Sequence, residues 1–168
     1  MRICRIMPTY PSDMEPGIGL PGYYLSVNMG DQTLIITRRR RGVPIALPKQ
    51  IRLVRLPYPE ITVSDKRGLA RTAALVLKTL GYITFFVLSL PFLLPFRPQV
   101  VHIHTPMPIL HGLFARYVLQ RPFFLTFHGT DMHSIKRWAF LRALVRRADV
   151  VCHVAKSMRN GLEKVVSQ

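Results

Sequence analysis

Short apolar runs alternate along this chain with stretches in which Pro, Gly and charged residues gather, and longer segments of helical period lie between them. The runs at 2–7, 33–37, 51–56, 100–104, 122–127 and 150–154 have the length and bounding turn residues of strands. Residues 23–29, closed by Gly30, predict a short helix, and 109–119 predict another. A cationic amphipathic helix is expected over 135–147 and a last helix over 156–165. Arg52 and Arg55, spaced along the third run, mark it as an exposed or edge strand. Strands alternating with helices predict an α/β fold, a single doubly wound domain over 1–168 with a mainly parallel sheet. A chain of 168 residues suffices for one well-buried domain of this kind and is short for two.

The segment 72–96 strains that pattern. Residues 80–96 carry no charge, and only Lys78 interrupts the apolar run that starts at Ala73, so the length approaches that of a membrane span. Pro91 and Pro95 are expected to break the helix in its second half. A span would also leave the early and late strands on opposite sides of a bilayer, where they could not share a sheet. The expectation is a buried or amphipathic helix that touches the membrane interface, with Lys66, Arg67 and Arg71 on one flank and Arg97 on the other. An ordinary core helix and a true span are the alternatives.

Charge narrows the partner. Twenty-four Lys and Arg against 8 Asp and Glu leave a formal +16, so the partner surface is expected to be anionic: nucleic acid, an anionic leaflet or a phosphorylated substrate. Phe and Tyr cluster in apolar runs instead of alternating with basic residues, so nucleic acid is not the expected partner. Cys4 and Cys152 fall inside predicted strands without metal-like spacing, which predicts buried, reduced thiols. The first residues lack a signal-like apolar run and meet Pro8 and Pro11 at once, which predicts a cytoplasmic location.

Candidate chemistry gathers where strands end. Gly17-Ile18-Gly19-Leu20-Pro21-Gly22 has Gly-x-Gly-x-x-Gly spacing between the first strand and first helix, where backbone amides and a helix N-terminus suit a phosphate. The strand-to-glycine gap is longer than in a dinucleotide fingerprint, and Arg38 ends the second strand where that fingerprint has an acid. The readings that remain are a loop on some other phosphorylated ligand and a plain turn. His102 and His104 share a strand face, but no Cys, Asp or Glu stands close in sequence, so no metal is expected. His102 reads as a core histidine and His104, at the strand tip, as lining a crevice. His128 ends the next strand, with Asp131 just beyond; both also suit capping roles. His111, His133 and His153 carry no comparable signal.

Four segments in order, namely the glycine loop, Pro98-Gln99-Val100-Val101-His102-Ile103-His104-Thr105-Pro106, Leu125-Thr126-Phe127-His128-Gly129-Thr130-Asp131, and Arg147-Ala148-Asp149-Val150-Val151 with Ala155-Lys156-Ser157-Met158, are similar to the N-terminal half of a family 4 glycosyltransferase of GT-B fold. The resemblance runs over roughly residues 2–165. It implies a Rossmann-like, acceptor-binding domain of an enzyme that transfers a sugar from a nucleotide-sugar donor with retention, using neither metal nor cofactor. It implies that Gly17 and Gly19 flank the donor phosphates and acceptor, that His128 is the catalytic contact to the donor sugar, and that His104, Thr105, Gly129 and Asp131 line the cleft. Two departures stand out. Ile18 separates glycines that are adjacent in many members, and neither the basic pair nor the Glu-x7-Glu motif of the family's second half is present. The C-terminal donor-binding domain is therefore expected on a separate subunit, and the acceptor is expected to be anionic or lipid-linked, with the protein peripheral at the cytoplasmic membrane face. The alternative reading is a truncated, catalytically silent basic module that binds an anionic membrane or nucleic acid.

Overall fold

Strand periodicity splits the first strand, β1 (Arg2–Met7), between Cys4 and Ile6 on one face and Ile3, Arg5 and Met7 on the other, and all of these are buried. A strand buried on both faces belongs at the centre of a sheet. The computed structural model describes residues 1–7, 10, 20–39, 42, 44, 46–57, 61, 67–128 and 139–153. In it β1 is followed by α1 (Leu20–Asn28), β2 (Gln32–Arg38), β3 (Ile51–Leu56), α2 (Gly68–Phe96), β4 (Val100–Ile103), α3 (Ile109–Tyr117), β5 (Phe123–Phe127), α4 (Ala139–Val145) and β6 (Val150–His153). The sheet has six strands in the order β3-β2-β1-β4-β5-β6, every pair parallel. Ile3 lies opposite Thr33 on one side and Val100 on the other, so β1 is the hinge of the topology.

The doubly wound domain expected from the sequence is present, and the strands begin and end within a residue of their predicted positions. On one face Cys4, Ile6, Leu34, Ile36, Val101 and Leu125 form the main core beneath α2, α3 and α4. On the other, Met7, Tyr10, Ile35 and Ile51 form a smaller core with Tyr23 and Val27 of α1. Gly30, at φ 65°, closes α1 in the left-handed conformation that glycine adopts without cost. Asp149 staples the far side: its carboxylate accepts from the Phe123 amide at 3.0 Å and from Arg116 Nη1 at 2.7 Å.

Two expectations are corrected. The helix α2 does not break at Pro91 and Pro95 but runs through both, from Gly68 to Phe96. Both prolines sit on its exposed side, so the carbonyls that lose a helical partner there are not shut away from other donors. Cys152 is exposed, whereas Cys4 is buried; both are free thiols. Cys152 lies on β6, an edge strand, and its neighbour Val150 is 40% exposed as well. α4 is described only over Ala139–Val145, and the helix expected at 156–165 lies outside the described residues.

α3 lies close on the sheet because Gly112 lacks a side chain. A Cβ there would meet Ile103 Cδ1 at 2.8 Å and the Phe123 ring at 3.0 Å. Gly112→Ala is therefore expected to destabilise the domain by about 1–3 kcal/mol despite its better helix propensity. Urea unfolding checks this, and a stabilised variant would mean that α3 lifts off freely.

Candidate active site

All six strands are parallel, so their carboxyl ends share one edge, and the order reverses between β1 and β4. Ligands of such sheets bind in the crevice outside that reversal. Met7 ends β1, His104 and Thr105 follow β4, and His128 follows β5. His104 is 3% exposed, and its amide donates to the Ile6 carbonyl at 3.0 Å, which carries the β1–β4 ladder into the edge. Gly22, in the first turns of α1, presses on the same place: a Cβ there would collide with the Met7 thioether methyl and stand 3.2 Å from His104 Cε1. A side chain there would require the Met7 tip to shift and the His104 ring to give slightly. His104 Nε2 has no hydrogen-bond partner among the described residues.

Behind His104 lies a polar chain. Arg5 Nη1 is 2.6 Å from His102 Nδ1, and His102 Nε2 is 2.7 Å from Thr126 Oγ1. A guanidinium only donates, so Nδ1 accepts and the proton of the neutral ring sits on Nε2, donating to Thr126. The His102 and His104 rings lie 4.2 Å apart, tilted by 31°. Burial, and then the charge of Arg5, push the His102 pKa down to about 3. His104 is also held well below the ordinary histidine range, first by burial and then by His102, Arg5 and His128. His128 is thus near enough for its charge to be felt at His104. Arg5 is itself buried, and burial pulls its pKa down to about 10 against the opposing pull of Asp31.

Among the described residues the charge distribution is lopsided. The described carboxylates are Asp31 and Asp149, and both precede strands, at the amino edge of the sheet. Asp31 pairs with the N-terminal ammonium at 2.9 Å and Asp149 with Arg116. The carboxyl edge carries Arg38, His104, His128 and His153 and, among the described residues, no carboxylate. A shallow open cleft lined by Arg116, Tyr117, Arg121 and Asp149 lies at the amino edge, away from the strand reversal. Among the described residues no three His, Cys, Asp or Glu gather as a metal site.

Of the residues singled out from the sequence, the structure brings His104, Thr105 and His128 to one edge. Gly17, Gly19, Gly129 and Asp131 lie outside the described residues. Residues 27–167 match the family model of Glycosyltransferase Family 4. The chain belongs to glycosyltransferase family 4. This glycosyltransferase domain has a backbone similar to that of sucrose-phosphate synthase from Thermosynechococcus elongatus, with a TM-score of 0.58 and 14% identity over 99% of this chain and 83% of that chain. At that identity the likeness speaks for the fold, the Rossmann-like N-terminal half of a GT-B enzyme. No curated protein matches the sequence. Arg5 and Thr126, which hold His102, were not readable as site residues, and Gly22, read as part of the glycine loop, gave no sign of its contact to His104. Arg5 alternates with apolar neighbours as a partly exposed strand residue would, and only the β1–β4 pairing puts it against His102.

Proposed function

We propose that this family-4 domain is the acceptor-binding half of a retaining, nucleotide-sugar-dependent glycosyltransferase working at the cytoplasmic membrane face. The observation that carries the reading is that His104, at the strand reversal, and His128, beyond the adjacent β5, share the carboxyl edge, with Gly22 of α1 beside His104. The His104 imidazole, held neutral by burial, offers an N–H donor to a sugar hydroxyl. Arg38, His104, His128 and His153 at this edge suit a ligand that is anionic or becomes so, as a departing nucleotide diphosphate does. Donor binding then falls to a second domain, on this polypeptide or on another. The net charge of +16 favours an anionic or lipid-linked acceptor over a neutral soluble one.

The test is sugar transfer itself. Membranes from cells that express the complete protein are supplied in turn with radiolabelled UDP-, GDP-, ADP- and dTDP-sugars, and label is followed into lipid-extractable and water-soluble products. Transfer above that of cells lacking the gene is expected from one donor class, with the product in the lipid extract. Transfer from none of the donors would sink the reading.

A further inference from the structure

The helix α2 reverses the polarity expected of a helix packed on a sheet. Its buried residues, among them Ala74, Phe85, Ser89 and Leu93, face the β2–β3 side of the sheet and α3. The side turned away should then be polar. Instead Val76, Leu77, Leu80, Ile83, Val87 and Leu94 are each between 43% and 55% exposed and follow one another at helical spacing. Its charged residues are Arg71 and Lys78, and at about 100° per residue both fall roughly opposite Leu80, toward the packed side. The outer face thus runs uncharged for about 27 Å from Val76 to Leu94.

We propose that this face docks the domain on an anionic lipid surface, with the α2 axis lying in the membrane plane. Three observations select that occupant. α2 contains no acidic residue, and exposed Arg67 and Arg97 stand at its two ends. Arg52 adds a cation beside its C-terminal half, 5.7 Å from the centre of the Phe92 ring. An apolar ridge between cations matches the acyl boundary and headgroups of an anionic leaflet. A second copy would bring the same cations against one another, and like charges oppose such a pairing.

The helix is long and apolar enough to cross a membrane by length and composition. Crossing is nevertheless incompatible with the sheet, because β1, before α2, pairs directly with β4, after it. This inference deepens the membrane part of the proposed function and rests on that reading for its purpose, but its test contains no sugar donor. Failure here leaves the transfer reaction standing, and failure of transfer leaves the docking standing.

The purified chain is sedimented with vesicles of phosphatidylcholine alone or with a quarter phosphatidylglycerol. A companion carries Leu77→Asp, Leu80→Asp and Val87→Asp, all at exposed positions, with its fold checked by far-UV circular dichroism. The wild type is expected to bind the anionic vesicles, and the variant roughly tenfold or more weakly. Equal binding by the two chains would overturn the proposal. So would a wild type that ignores vesicles and self-associates while the variant stays monomeric.

Discussion

Between pH 7 and pH 5 the domain is expected to lose on the order of 6 kcal/mol of stability, at about 1.4 kcal/mol per pH unit for each buried imidazole below its unfolded pKa of about 6.5. Three imidazoles carry the effect. His102 is held down to about 3 by burial and then by Arg5, and His104 well below the ordinary range by burial and its charged neighbours. His111 is held at about 4 by burial, against the raising effect of its hydrogen bond to the Pro108 carbonyl. Above pH 6.5 both folded and unfolded chains keep these rings neutral, and the stability is complete. As the pH falls below that value the unfolded chain takes up protons that the folded chain refuses, and stability drains until the folded pKa values are reached. The lowered pKa of Asp149 acts only where aspartates titrate, below this window. A loss of this size is comparable to the whole stability of many domains, so an unfolding midpoint near pH 5 is expected. Urea unfolding at pH 7.5, 6.5, 5.5 and 5.0 measures the slope. His111→Gln removes one of the three groups and should reduce the slope by about a third. Stability that stays flat from pH 7 to pH 5 would contradict the buried, neutral state of all three rings.

The second large effect concerns transfer. His128→Ala is expected to lower turnover by about 10²–10³-fold in the complete enzyme, the usual cost of removing one donor aimed at developing charge. His128 is half-buried just beyond β5, at the carboxyl edge that also carries His104. Its removal should change stability by only about 1 kcal/mol, as substitutions outside the core do. The readout is kcat for the labelled donor identified in the membrane assay, with urea unfolding alongside. Unchanged turnover would return His128 to the role of a capping histidine, and a lost fold would make it structural.

How much was legible follows from the range of each interaction. His104 and His128 could be placed at strand tips because a strand end is a local event, marked by Thr105-Pro106 and by Gly129. His111 gave no signal, yet it locks α3 to α2: its Nε2 lies 3.0 Å from Ser89 Oγ, which also lies 2.6 Å from the Phe86 carbonyl. Ser89 is 22 residues away in sequence, beyond any local pattern. Arg5 was hidden for the same reason, since its burial depends on β1 having a neighbour on each side.

By itself the sequence determined where the elements lie and what class of fold they make. Period-two apolar runs and Gly or Pro punctuation act over a few residues, and β1 and β3 fall on their predicted bounds. The excess of cations is likewise a property of composition. Only the tertiary structure decided which side of each element is wet. It left Cys152 exposed on an edge strand, carried α2 through two prolines because their freed carbonyls face outward, and turned the apolar side of that helix away from the sheet. It also joined Arg5, His102 and Thr126 into one hydrogen-bonded chain behind His104. Each of these depends on which strand lies beside which, and that is settled by burying apolar surface among residues far apart in the chain.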